Sequence, residues 1–124
     1  MQALYFFTGR VIKGKGRGKR LNFPTANVLL TEKIPEGIYV SELTVNDDSF
    51  HAATFIGSAK TYNEKDYKAE VYILDFKGNI YGETVNVMLF KKLRENKKFS
   101  SEEALITQID KDVKDTRDFF EKVV

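Results

Sequence analysis

The chain has 124 residues, ten Phe, six Tyr, no Trp and a formal net charge of +2. That length fits one domain with one core, and its apolar and aromatic content favours β-rich packing. The absence of cysteine excludes disulfides, thiolate zinc sites and thiol nucleophiles, and the single His51 excludes multi-histidine metal sites. No apolar run reaches membrane-spanning length and no signal peptide opens the chain, so a cytoplasmic protein without a membrane partner is expected.

The first run, Ala3 to Ile12, reads as a strand. Gly14-Lys15-Gly16-Arg17-Gly18-Lys19-Arg20 follows, a glycine-rich basic loop. Its glycines free the backbone to turn N–H groups towards an anion. Arg10, Lys13, Lys15, Arg17, Lys19 and Arg20 add local positive charge with no acid among them. The global charge is too small to predict a general nucleic-acid partner. The loop is either an anion cradle or a solvated hairpin tip. It is not a Walker A loop, which would need Gly at position 13 and Ser or Thr at position 20; the chain has Lys13 and Arg20. Nor is it the dinucleotide fingerprint, because Lys19 stands at the third glycine position.

Leu21-Asn22-Phe23-Pro24-Thr25-Ala26-Asn27 leads into an extended piece ending at Leu30. Thr25 and Asn27 are two apart, so on a strand their oxygens share one face. Such oxygens suit a hard cation such as Mg²⁺. A phosphate cradle beside metal ligands suggests a nucleoside-triphosphate site.

Ile34-Pro35-Glu36-Gly37 is a turn. Strands are expected over Ile38–Val45, Phe50–Ile56, Lys68–Phe76 and Glu83–Phe90, with Asn46 to Ser49 and Lys77-Gly78-Asn79 as turns and 57–67 as a polar loop. Asp75 is expected to stabilise the Lys77-Gly78 turn. In the third of these strands Ala69, Val71 and Ile73 fall on one face and Glu70, Tyr72 and Leu74 on the other. Two readings of Glu70 follow. Beside Tyr72 and Leu74 it is a partly desolvated carboxylate suited to general-base work; alternatively it is an exposed edge residue paired with Lys68. His51 takes no assigned role.

The C-terminal part changes period. Ser100 and Glu103 form a capping box, and Leu105, Ile109, Val113, Thr116 and Phe120 trace one face of an amphipathic helix. Arg94, Lys97 and Lys98 precede that helix, where its dipole disfavours cations; they mark either a ligand-facing segment or solvated charge. Phe99 is either a hydrophobic staple or a platform for a ring. The short, regularly spaced strands and the single helix together predict an all-β barrel with a C-terminal helix across it.

Read in order, Gly9-Arg10-Val11, Leu21 to Asn27, Pro35-Glu36-Gly37-Ile38-Tyr39, Ile56-Gly57, Ala69 to Phe76, Tyr81-Gly82 and Leu93 to Phe99 resemble the riboflavin kinase domain. That domain forms the C-terminal module of bacterial bifunctional riboflavin kinase/FAD synthetases. The resemblance implies a six-stranded antiparallel Greek-key barrel and phosphorylation of the riboflavin 5′-hydroxyl by ATP, giving FMN and ADP. It implies that Gly14, Gly16, Gly18, Lys19, Leu21, Phe23, Pro24, Thr25 and Asn27 line the ATP phosphates. It implies that Thr25 and Asn27 hold Mg²⁺, that Glu70 is the catalytic base, and that Arg94 and Phe99 belong to a flap over the flavin. Three departures stand out: Asn22 where the family has Gly, Ser58 to Tyr62 where it often has Pro-Thr-Phe, and Asn96 in place of an acid in the flap. The expectation is one kinase domain, 1–124, without an adenylyltransferase half, whether that half is fused elsewhere or separate. The competing expectations are a non-catalytic flavin-binding module and a barrel for single-stranded nucleic acid.

Overall fold

The computed structural model describes residues 2–13, 24–57 and 67–122. The glycine loop with Leu21, Asn22 and Phe23, and the Ser58 to Tyr62 departure, lie outside the described residues. Among the described residues six strands and one helix follow in order: β1 Tyr5–Arg10, β2 Thr25–Leu29, β3 Gly37–Val45, β4 Asp48–Gly57, β5 Lys68–Ile73, β6 Thr84–Arg94 and α1 Glu102–Lys122. They form one antiparallel sheet in the order β1-β6-β3-β4-β5-β2. β3, β4 and β5 are consecutive neighbours and β6 returns to lie beside β3, which is the Greek-key order. The expected strand number, Greek key and C-terminal helix are all present, in a half-barrel.

Closure depends on the two edge strands. Ile12, just after β1, makes an isolated bridge to Asn27 of β2, with its N–H donating to the Asn27 carbonyl at 2.8 Å. Gly9 makes this approach possible, because a Cβ there would collide with Cγ1 of Val28, a fully buried core residue. The β3–β4 hairpin is tight: Asn46 and Asp47 both take positive φ, 49° and 69°. This suits a two-residue turn whose twist matches the flanking strands. Gly37 opens β3 at φ 148°, and a Cβ there would sit 2.9 Å from the carbonyl oxygen of Arg94, so the turn ends on a residue only glycine fills.

The inner face packs Phe7, Ala26, Val28, Leu43, Val71, Ile73, Val85, Val87 and Leu89 into the barrel core. On the outer face Ala53, Tyr72 and Leu74 pack against Ile109 and Val113 of α1, with Leu105 and Ile106 beside them. Burying each of the Leu, Ile and Val side chains among these contributes about 2 kcal/mol. β5 is thus covered on both faces.

Several boundaries differ from the sequence expectation. β5 stops at Ile73, because the chain turns at Asp75, where φ is 57°. Asp75 does not serve the Lys77-Gly78 turn; it forms a two-point ion pair with Arg117 of α1 at 3.0 and 3.1 Å. β6 runs on to Arg94, accommodated by register shifts against β3 between Ile38/Tyr39 and Val40/Ser41. The helix cap is Ser101, whose Oγ accepts the Ala104 N–H at 3.1 Å. This moves the N-terminus one residue along and puts Ala104 where a capping box needs an acid. The apolar helix face is as expected, with Ile109, Val113, Thr116 and Phe120 buried.

Gly9→Ala is expected to lower unfolding free energy by about 1–3 kcal/mol, the usual cost of overpacking. Urea titration checks this. Pairing it with Val28→Ala should restore part of the loss relative to the sum of the two single changes.

Candidate functional site

The site is built on the outer face of β2, β5 and β4. Antiparallel register sets three cross-strand rows: Thr25–Tyr72–Ala53, Asn27–Glu70–Phe55 and Leu29–Lys68–Gly57. Pro24 and Leu30 bond the backbone of Ile73 and Tyr67 at either end of β2. Thr25, Asn27 and Leu29 therefore occupy the non-hydrogen-bonded positions against β5, where facing side chains lie closest. Asn27 and Glu70 meet in this way, and each is only 6% exposed.

Glu70 is held from both sides. The Tyr72 hydroxyl donates to its Oε2 at 3.1 Å, and Lys68 Nζ lies 3.6 Å from its Oε1. The pairing with Lys68 that the alternative reading expected is present, but the exposure is not. β5 is an interior strand, and α1 covers the end of its outer face. Asn27 presents the complementary feature: its Oδ1 is buried with no hydrogen-bond partner among the described residues. A buried amide oxygen left without a donor is costly, so this atom suits a ligand that offers positive charge. Thr25, half-buried, precedes it on the same face.

Arg94 ends β6 and is committed to the helix. Its Nε donates to Asp112 Oδ1 at 2.9 Å and its Nη2 to Asp112 Oδ2 at 2.8 Å, a two-point pair in which Asp112 is 3% exposed. Gln108 supplies a further bond to Asp112 Oδ1 at 3.1 Å. The Arg94 guanidinium carbon also lies 5.8 Å from the centre of the Phe99 ring, and Lys97 Nζ lies 5.5 Å from it. The segment before α1 is thus folded onto Arg94. Asn96 Nδ2 donates to the Ile56 carbonyl at 3.2 Å. A Cβ on Gly57 would lie 2.9 Å from Phe55 Cζ and 3.0 Å from Asn96 Nδ2. Gly57 therefore leaves room for both the Phe55 ring, in the Glu70 row, and the Asn96 amide.

Of the residues singled out from sequence, Pro24, Thr25, Asn27 and Glu70 come together. Arg94 and Phe99 come together beside α1. Gly14, Gly16, Gly18, Lys19, Leu21 and Phe23 lie outside the described residues. Among the described residues no cluster of three or more His, Asp or Glu side chains could hold a metal; the oxygen donors of Thr25 and Asn27 are of a different kind. Sequence reading missed Asp112 and Phe55. Asp112 falls on the apolar helix stripe beside Val113, and a charge at such a position was the available signal. His51 stacks on Phe120 at 3.6 Å between ring centres, which is a packing role.

The architecture is that of a small Greek-key half-barrel with a polar, largely buried row on its helix-covered face. The family model for riboflavin kinase matches residues 1–120, and the chain belongs to that family. A bifunctional riboflavin kinase/FMN adenylyltransferase of Listeria monocytogenes is 39% identical over 96% of this chain and 39% of its own length. An RNA-binding riboflavin kinase of Bacillus subtilis is 37% identical over 85% of this chain and 46% of its own. Among solved structures, riboflavin kinase from Trypanosoma brucei superposes with a TM-score of 0.69 and 26% identity, covering 98% of this chain and 83% of that one. The chain thus spans well under half the length of the bifunctional relative.

The two arginine–carboxylate pairs should behave differently. Asp112→Ala strands the Arg94 guanidinium and is expected to cost about 3 kcal/mol. The Asp75 carboxyl is held below its ordinary value, chiefly by the hydrogen bond from Arg117. Its contribution is present at neutral pH and lost as pH falls below about 4. Because this pair is exposed, 1 M salt should also erase it. Melting of Asp112→Ala and Asp75→Asn against pH and salt checks both.

Proposed function

We propose that the chain transfers the γ-phosphoryl group of ATP to the 5′-hydroxyl of riboflavin, giving FMN and ADP. Family membership supports the reaction, and the buried Asn27–Glu70 row is the observation that carries the site. Phosphoryl transfer asks for positioning, charge neutralisation and a group to take the hydroxyl proton. Glu70 accepts that proton as the hydroxyl oxygen bonds to phosphorus and the bond to the ADP oxygen breaks. Its burial excludes competing water.

Mg²⁺ fits the donors on β2: the side-chain oxygens of Thr25 and Asn27 are hard ligands, and Asn27 Oδ1 has no other partner among the described residues. Once bound it would neutralise phosphate charge. The glycine-rich loop, from Gly14 through Lys19 and Leu21 to Phe23, is assigned to the ATP phosphates together with Pro24. Arg94 and Phe99 are assigned to the flavin side, with Arg94 acting from its fixed pair with Asp112 rather than as a free cation. We place the reaction in the cytoplasm. FMN adenylylation belongs to a further module, as the bifunctional relatives' names suggest.

A purely flavin-binding module would have no use for the set Thr25, Asn27 and Glu70. Nucleic acid is kept outside the proposed partners because the net charge is only +2. One relative is named RNA-binding. A titration with single-stranded RNA in low and moderate salt decides this point, since phosphate-driven binding falls steeply with salt.

Chromatographic assay of FMN formation from riboflavin, ATP and Mg²⁺ tests the reaction. FMN appearing only with ATP and metal is expected; bound riboflavin without product would favour the binding module. Glu70→Gln should lower kcat by about 10²–10⁴-fold with little change in either KM, and near-normal turnover would remove Glu70 as the base. Asn27→Ala should raise the Mg²⁺ concentration needed for half-maximal rate. An unchanged metal dependence would remove Asn27 from the metal site.

A further inference from the structure

Lys68, Glu70 and Tyr72 project from the same face of β5 at strict alternation. The ring of Tyr72 is buried against Ile109 and Val113 of α1. A phenylalanine would make that apolar contact equally well. The hydroxyl is therefore surplus to helix packing, yet it is directed at Glu70 Oε2. Lys68 Nζ engages the other oxygen of the same carboxylate. A carboxylate on a three-torsion side chain has a broad terminal rotamer. Contacts to both oxygens restrict that torsion and set the plane of the group.

We infer that Tyr72, with Lys68, is a positioning residue for Glu70, fixing the carboxylate plane so that it meets the substrate hydroxyl. This rests on the proposed role of Glu70 as base. At 3.1 Å the Tyr72 bond is longer than the roughly 2.5–2.7 Å of a tight charge-assisted O–H···O bond. It steers the carboxylate and contributes less than a tight bond would. Because α1 holds the Tyr72 ring, the helix reaches Glu70 through the Tyr72 hydroxyl.

The test is a double-mutant cycle of Tyr72→Phe and Glu70→Gln, read by single-turnover and steady-state FMN formation and by thermal melting. Tyr72→Phe is expected to lower kcat about tenfold, the lower end for a hydrogen bond to a charged group, with KM for riboflavin and ATP within about twofold. In the Glu70→Gln background the same change should alter kcat by less than about twofold. An unchanged kcat in Tyr72→Phe, or an equal fractional loss in both backgrounds, overturns the inference. If Glu70→Gln itself keeps normal turnover, the base assignment falls first, and this is distinguishable from a normal Tyr72→Phe beside a crippled Glu70→Gln. A Tyr72→Phe chain that does not fold assigns the hydroxyl to stability and overturns the role of Tyr72. Lys68→Met, run through the same cycle, then decides whether Lys68 positions Glu70 alone: a loss confined to the Glu70 background supports it, and no loss overturns it.

Discussion

The burial of β5 on both faces is the constraint on which the rest of the structure depends. Its inward residues Ala69, Val71 and Ile73 fill the barrel. Its outward residue Tyr72, and Leu74 just beyond its end, are covered by α1. A strand clad on one side only would leave its outer carboxylate solvated. Here Glu70 shares a covered surface with Asn27 and Phe55, so two polar side chains sit in an environment of weakened solvent screening, where polar contacts are stronger and unpaired groups costlier. The amide oxygen of Asn27, without a hydrogen-bond partner among the described residues, is the cost of that arrangement.

Closure of the barrel bears on the same place. The Ile12–Asn27 bridge joins the edge strands through the backbone of the residue whose side chain faces Glu70. Gly9 allows β1 to pass over Val28, the next residue along. The position of the Asn27 amide is thereby set by hydrogen bonds on both sides of β2: to β5 along the ladder and to Ile12 across the seam. Asn27 thus stands on a strand and not on a loop, which would favour preorganisation of the proposed metal site.

Much of the architecture was legible because local signals agreed with the global fold. Alternation put the carboxylate on the face opposite Ala69, Val71 and Ile73, and the fold turns those three into the barrel core. The spacing of Ile109, Val113, Thr116 and Phe120 identified the helix stripe. The less legible features are those set by tertiary contacts. Nothing in the Glu70 neighbourhood says whether the outer face is covered, because coverage comes from a helix some thirty residues further on. Asp112 falls on the apolar stripe of the helix, but its partner Arg94 is only brought against it by the fold. The helix cap was displaced by one residue because Ser100 and Ser101 are equivalent by type, and only the backbone trajectory selects Ser101. Phe55 carried no sequence signal separating it from the other strand aromatics.

The helix is the element that couples the two halves of the candidate site. Ile109 and Val113 grip the Tyr72 ring, and Asp112, between them in sequence, grips the Arg94 guanidinium. One helical turn therefore fixes both the neighbour of Glu70 and the root of the segment that carries Asn96 and Phe99. The polar half of this grip is strong only while both partners remain, since a lone buried charge is heavily penalised. The apolar half tolerates small changes of shape. A shift of α1 along its axis would thus first strain the Arg94–Asp112 pair and only then move Tyr72. The Arg94–Asp112 pair, with the exposed Asp75–Arg117 pair further along α1, therefore adds directional registry to an apolar contact that has little of its own.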